Sequence, residues 1–321
     1  MTNPPAHPRS LRLGTRGSKL AQWQAEWVAG ELRRRGHTVE LVEIATRGDM
    51  ERVVAIEEIG TRGVFTKEIQ RALLAGDVDV AVHSLKDLPT EPVEGLMLGA
   101  VPARESSADV LVVRAGSEER GARSKRSFSE LPHGARVGTG SLRRQAQLRY
   151  VRPDLQVADV RGNVDTRLQK LDDGQFDAIV LAEAGLRRLG LADRITQVIG
   201  FDVMLPAVGQ GALGIECRVA DAETLAILAP LEDSATRAAV TAERALLEHL
   251  RGGCMAPIGA LGRVEAGQLH LSAVVLSADG ARRLAAANNG LLSEAESLGV
   301  RVADELMAQG AAELIASARN G

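Results

Sequence analysis

One stretch constrains the fold more than any other: Val78-Asp79-Val80-Ala81-Val82-His83-Ser84-Leu85-Lys86-Asp87-Leu88-Pro89. Its β-branched, nearly continuous apolar start predicts a strand buried on both faces, as in a parallel sheet covered by helices. Pro89 biases Leu88 away from helix, so the chain should leave the sheet as a loop. Lys86 and Asp87 then stand at the carboxyl end of a buried strand, the edge where open α/β sheets bind ligands. The same two residues could equally form an exposed surface pair, which would be worth little.

A chain of 321 residues is long for one core and predicts two or three domains. No apolar run approaches the roughly 18 residues of a membrane helix, and Met1 to Ser10 lacks the apolar segment of a secretory signal. Two cysteines, Cys217 and Cys254, cannot build a disulfide framework and suit a reducing cytoplasm. A net charge of −3 argues against a dedicated nucleic-acid binder. Lysine occurs only at 19, 67, 86, 125 and 170, and arginine supplies the other cations. Its planar fork grips carboxylates bidentately, although a GC-rich genome would produce the same bias.

The chain begins with a strand at Leu11–Thr15 and a helix capped by Ser18, with Leu20, Trp23 and Trp27 at helical spacing. A strand over Thr38–Thr46 completes a βαβ opening, which predicts a parallel sheet. Residues 47–63 read as a surface loop, and Phe65, Ile69 and Leu73 mark the next helix. Strands follow at Leu96–Val101 and Asp109–Val113, and Ala115–Glu130 reads as an exposed insertion or a disordered stretch. A second α/β run has strands at Ala135–Thr139, Leu155–Val160 and Phe176–Ala182, with helices starting at Ser141 and Asn163. Leu205–Cys217 reads as a returning glycine-rich strand, and Ser234–Leu250 as a helix. Beyond Cys254 the alternation Leu269, Leu271, Ala273, Val275, the turn Asp279-Gly280 and a final helix through Leu298, Val302 and Leu306 predict a small α+β domain.

Helix starts carry the chemical information. A helix N-terminus bears about half a positive charge and disfavours cations, yet Gly138-Thr139-Gly140-Ser141-Leu142-Arg143-Arg144 places two arginines in a first turn. Such arginines call for an anion held by backbone N–H groups, the Ser141 hydroxyl and the guanidinium forks. Thr15-Arg16-Gly17-Ser18-Lys19 and Arg161 to Arg167 repeat the device. The phosphate loops of nucleotide sites are missing, so a ligand with several carboxylates fits better. Gly252 and Gly253 before Cys254 read either as close-approach glycines or as a helix C-cap beside a buried thiol. His83 reads as a core histidine and Cys217 as structural, and neither cysteine has a partner at zinc spacing, so no metal is expected.

Together, Val82 to Pro89, Gly138 to Gln145, Arg161 to Leu168, Leu205 to Arg218 and Gly252-Gly253-Cys254 resemble the porphobilinogen deaminase (hydroxymethylbilane synthase) family from Leu11 to the end of the chain. The resemblance implies two doubly wound α/β lobes like type II periplasmic binding proteins, plus a small α+β domain. It places domain 1 at 1–105 with 212–230, domain 2 at 106–211 and domain 3 at 231–321. It further implies a transferase that joins four porphobilinogen molecules head to tail, releases ammonia, and hydrolyses off hydroxymethylbilane. Growth would start from a dipyrromethane cofactor in thioether linkage to Cys254. Asp87 would be the catalytic carboxylate, stabilising the pyrrole-derived cation left by loss of ammonia. Lys86, Ser141, Arg143 and Arg144, with Asp87, match cofactor-binding positions. Arg16, Ser18, Thr139, Arg161, Arg167, Arg188, Phe65 and Gln210 match substrate-binding ones, Gln210 at an interdomain hinge. Glu58 and Arg62 depart from the lysines common in the family's mobile loop. The expected partner is the small-molecule substrate, with no nucleic acid and no membrane, in a cytoplasmic monomer.

A non-enzymatic two-lobed receptor for a small carboxylate would share the fold, and an arginine-rich nucleic-acid binder would show DNA affinity falling steeply with salt. Intact-protein mass spectrometry separates the enzyme from the receptor: the enzyme carries a two-pyrrole adduct on Cys254, and the bare sequence mass would contradict it.

Overall fold

The computed structural model describes residues 9–45, 66–114, 127–252 and 256–320. The loop predicted at 47–63, with Glu58 and Arg62, and also Phe65 and Cys254, lie outside the described residues. The chain divides into two compact units, residues 1–104 with 212–237 and residues 105–211 with 238–321.

The first unit is built on a five-stranded sheet in the order β2-β1-β3-β10-β4. β1 (Ser10–Thr15) pairs in parallel with β2 (Thr38–Glu43) and β3 (Val80–Ser84). The helix α1 (Lys19–Arg34) covers one face, packing Ala25, Val28, Ala29 and Leu32 on Leu11, Leu13, Val80 and Val82. α2 (Lys67–Ala75) covers the other, with Ile69 and Leu73 against Val78 and Ala81. Burial on both faces explains why the stretch reads as continuously apolar. Trp23, one of the aromatics at helical spacing in α1, is exposed, and the small residues beside it form the buried stripe. β2 and β4 (Leu96–Ala100) are the two edge strands.

The second unit holds a matching sheet in the order β7-β6-β8-β5-β9. β6 (Arg136–Gly138) runs parallel to β7 (Gln156–Ala158) and β8 (Ala178–Ala182). β5 (Asp109–Val113) runs antiparallel to β8 and to the short β9 (Gln197–Val198). Leu111 and Val180 face α3 (Leu142–Val151), whereas Val110, Val112 and Ile179 face α4 (Val164–Asp172) and α5 (Glu183–Arg188).

The βαβ opening gives the parallel pairing it predicted, but neither sheet is parallel throughout: β5 and β10 (Leu213–Arg218) run antiparallel beside β8 and β3. Residues Leu205 to Ala212 are not strand either, since Gly209 and Gly211 adopt positive φ of 71° and 86° and turn the chain before β10 begins. Of the insertion predicted over 115–130, residues 115–126 lie outside the described residues, and its end is corrected. Phe128 is buried in a one-turn 3-10 helix, with the Arg152 guanidinium over its ring.

After α6 (Ala222–Leu228) and α7 (Ser234–His249), the remaining sheet is an antiparallel meander, β11 (Ile258–Glu265), β12 (Gln268–Leu276) and β13 (Arg283–Gly290). Leu269, Leu271, Ala273 and Val275 point to its buried face as their alternation predicted, and Gly280 turns the hairpin. α7 and α8 (Ala295–Ala308) cover that face through Ala242, Leu246, Leu298, Val302 and Leu306. The last helix is α9 (Ala311–Asn320) and not α8, because Gly310 at φ 98° reverses the chain and lets Leu314 and Ile315 extend the same core. Glu243 of α7, fully buried, accepts hydrogen bonds from Gly209 N at 2.7 Å and Gly262 N at 2.8 Å. It thereby ties the turn before β10 to β11.

Gly211 is the tightest point of that turn. A Cβ there would lie 2.3 Å from the Glu105 carbonyl oxygen and 2.6 Å from that of Ser106, at a φ of +86°. Gly211→Ala is expected to cost about 2–4 kcal/mol, read from the urea midpoint at unchanged m-value.

Candidate functional site

In the first unit the parallel strands β1 and β3 deliver their carboxyl ends to one sheet edge. Thr15 ends β1, and Arg16 and Ser18 follow it. Ser18 caps α1, its hydroxyl accepting from Ala21 N at 3.3 Å, as its position in the sequence predicted. β3 ends at Ser84, which is locked to α1: Gln24 Nε2 donates to Ser84 Oγ at 2.8 Å, and Ser84 Oγ donates to Gln24 Oε1 at 3.2 Å. The chain then makes one 3-10 turn, Leu85–Asp87, before Pro89. Leu85 is buried and donates its N–H to Ala212 O at 3.0 Å, which fixes the turn on the sheet. Lys86 is half-buried and Asp87 is exposed. The Asp87 carboxylate makes no hydrogen bond or ion pair with any described residue.

His83, one residue earlier on the opposite face, is buried with its Nε2 2.9 Å from Glu216 Oε2. Glu216 also accepts from Gln70 Nε2. The histidine belongs to the core, as expected. Cys217 is fully buried in β10, where burial pushes its thiol up to about 11.

In the second unit, the carboxyl ends of β6, β7 and β8 lead into Thr139, Arg161 and α5 respectively. Thr139 is fully buried, its hydroxyl accepting from Ser141 N at 3.3 Å. Ser141 is half-exposed at the start of α3. Arg161 pairs with Asp159 at 2.6 Å in an exposed setting, and Arg167 Nε donates to Gly162 O at 2.8 Å. Arg188 Nη2 donates to Gly211 O at 2.7 Å, and burial lowers its pKa against the opposing charge of Glu105.

The arginines at the start of α3 have an anion, and it belongs to the chain. Asp109 Oδ2 accepts from Arg143 Nη1 at 2.7 Å, and Oδ1 accepts from Arg144 Nε at 3.0 Å and Nη2 at 2.7 Å. All three side chains are buried, Asp109 completely. The anion that the first-turn arginines call for is thus supplied in large part by Asp109, where a bound ligand was expected. β5 runs antiparallel to β8, pairing Asp109 with Ala182, so its amino end arrives at the edge where the parallel strands end. Nothing in the local sequence around Asp109 signals this. Gln210, fully buried, donates from Nε2 to Ser107 O at 2.7 Å and Asp109 Oδ1 at 2.9 Å, which fastens the turn before β10 to the same carboxylate.

Balance is incomplete, since two guanidiniums share one carboxylate. Arg143 Nε is buried with no hydrogen-bond partner among the described residues. Unpaired buried donors are costly, and the cluster retains one net positive charge. A carboxylate ligand would meet both needs.

Comparison with known proteins agrees with the motifs. The family described as "Porphobilinogen deaminase, dipyromethane cofactor binding domain" matches residues 11–226, and "Porphobilinogen deaminase, C-terminal domain" matches residues 237–308. A porphobilinogen deaminase of Desulforudis audaxviator is 52% identical over 315 residues, covering 98% of this chain and 99% of the relative. One of Synechococcus elongatus is 49% identical over 317 residues, covering 98% and 97%. Among solved structures, the periplasmic VFT2 domain of Bordetella pertussis BvgS overlaps 68% of this chain and 85% of its own, at 17% identity and a TM-score of 0.39.

Burial alone would raise the Asp109 pKa, but the charges of Arg143 and Arg144, with hydrogen bonds from Arg143 and Gln210, hold it well below the usual carboxylate range. A depressed folded-state pKa gives stabilisation that is complete above the unfolded value of about 3.9 and is lost as pH falls through the folded one. Between about pH 4 and pH 2 the wild-type stability should fall more steeply than that of Asp109→Asn, by up to about 1.4 kcal/mol per pH unit. Urea midpoints across that range check it, and parallel slopes would contradict it.

Proposed function

The chain belongs to the porphobilinogen deaminase family, and from that premise we infer that it is a transferase joining four porphobilinogen molecules head to tail with release of ammonia. The dipyrromethane, when bound, supplies the primer on which the product is assembled before hydroxymethylbilane is hydrolysed off. Cys254 is the proposed attachment residue.

The observation that carries the site assignment is Asp87. A carboxylate that is exposed and unengaged, on a turn fixed by Leu85 and Pro89 at the end of a buried strand, is positioned in advance and available. Loss of ammonia from porphobilinogen leaves positive charge delocalised onto the pyrrole nitrogen. A fixed carboxylate that accepts the pyrrole N–H stabilises that charge and can take the proton released when the ring rearomatises. Lys86, beside it, supplies a compact cation for a ligand carboxylate. Each porphobilinogen ring carries an acetate and a propionate, and Arg16, Arg161, Arg167 and Arg188 are proposed to receive them, with Ser18, Thr139, Phe65 and Gln210 completing the substrate set. Arg143, Arg144 and Ser141 are proposed to form the cofactor-holding group, Arg143 as the direct donor and Arg144 through the Asp109 carboxylate they share, a role supported by the unpaired Nε of Arg143 and the single excess charge of its cluster.

The proposed division is domain 1 at 1–105 with 212–230, domain 2 at 106–211 and domain 3 at 231–321, in a cytoplasmic monomer that binds no nucleic acid. No helix among the described residues is long and apolar enough to cross a membrane.

Asp87→Asn should lower turnover by about 10²–10³-fold, the effect of removing one preorganised electrostatic group, while the melting temperature and the Cys254 adduct mass stay near wild type. A near-native rate in the substituted protein would remove Asp87 from the chemistry.

A further inference from the structure

Arg143 and Arg144 are consecutive and identical in type, yet Asp109 engages them by different edges. Arg144 gives Asp109 the side edge of its guanidinium, Nε at 3.0 Å and Nη2 at 2.7 Å, and spends Nη1 on Val180 O at 3.0 Å. Arg143 gives only one end: Nη1 donates to Asp109 Oδ2 at 2.7 Å and to Leu205 O at 2.6 Å. That pins Nη1 and leaves the Nε/Nη2 edge, whose Nε is buried and unpaired among the described residues. The Nε/Nη2 edge presents two parallel N–H groups, the geometry with which a guanidinium grips a carboxylate bidentately. The charges of Asp109, Arg143 and Arg144 sum to +1, enough for one carboxylate.

We propose that Asp109 is a positioning residue that gives the two arginines different tasks. It ties Arg144 to the protein as a support, and it turns Arg143 so that the Nε/Nη2 edge receives one carboxylate of the dipyrromethane. Asp109 itself touches no ligand; fully buried, it acts through Arg143. The inference rests on the reading that Arg143 holds a cofactor carboxylate.

The test uses the full-length protein as purified, with Asp109→Asn, Arg143→Lys and the double substitution. Intact mass gives the ratio of loaded to bare chain, and thermal melting reports the fold. Asp109→Asn should lower the loaded-to-bare ratio at least tenfold while still melting cooperatively, and Arg143→Lys should do the same. The double substitution should fall no lower than Arg143→Lys alone, within about twofold, because residues acting as one unit are not additive. A merely structural effect of Asp109 would instead multiply with that of Arg143→Lys, and this outcome overturns the proposal. Wild-type loading in Asp109→Asn with poor loading in Arg143→Lys overturns it as well. Wild-type loading in Arg143→Lys defeats the underlying reading, whatever Asp109→Asn does. If Asp109→Asn does not fold, Asp109→Glu keeps the charge and shifts it by one methylene, and should fold with loading at least threefold reduced. Failure of both to fold would assign the carboxylate to the fold alone and also overturn the proposal.

Discussion

A carboxylate with no access to solvent, holding two guanidiniums and an amide, organises the second unit. Charges are removed from water only at high cost, and the cost is recovered only where geometry is good and the remaining donors are satisfied. Asp109 meets that condition on both oxygens, with four donors at 2.7–3.0 Å. Because those donors come from the start of α3 and the turn before β10, one buried charge sets the register of three chain segments at a single sheet edge. The arrangement stops short of neutrality by one charge and one N–H, which is the observation behind the anion-binding role proposed for it.

The first unit solves a different problem at the corresponding edge. Its buried charges are arranged elsewhere: Asp79 accepts from Arg12 and Arg218, and Glu216 faces His83 and Gln70. Asp87, by contrast, is left without a partner among the described residues. A carboxylate already committed to an arginine would have its charge spent in the ground state. One held only by its backbone can respond to positive charge as it develops, which is the condition for differential stabilisation. The turn that carries it is fixed by the Leu85 N–H to Ala212, by the side-chain pair of Ser84 with Gln24 and by Pro89.

Local patterns made much of the fold legible. The two-sided burial of Val80 to Val82, the Ser18 cap, the alternation through β12 and the placement of Lys86 and Asp87 at a strand end all follow from short-range periodicity and turn chemistry. Strand direction was not legible. β5 and β10 have the same apolar texture as their parallel neighbours, because a strand covered on both faces looks alike whichever way it runs. Gly209 and Gly211 read as strand for a related reason: apolar composition around them matched a buried strand, while both adopt positive φ, and at Gly211 the Glu105 and Ser106 carbonyls lie too close for a side chain.

The sequence by itself determined which residues are chemically able to serve: the acid at 87 on a strand end, the paired arginines in a first turn, and five ordered motifs of one family. Only the tertiary structure decided which of those charges are already spent. Partner choice depends on segments far apart in the chain, as Asp109 lies 34 residues from Arg143 and 101 from Gln210. Helix electrostatics, which act within one turn, could state that an anion was needed beside α3. That the chain supplies most of it, and leaves one edge of Arg143 open, follows from an antiparallel strand bringing its first residue to that edge.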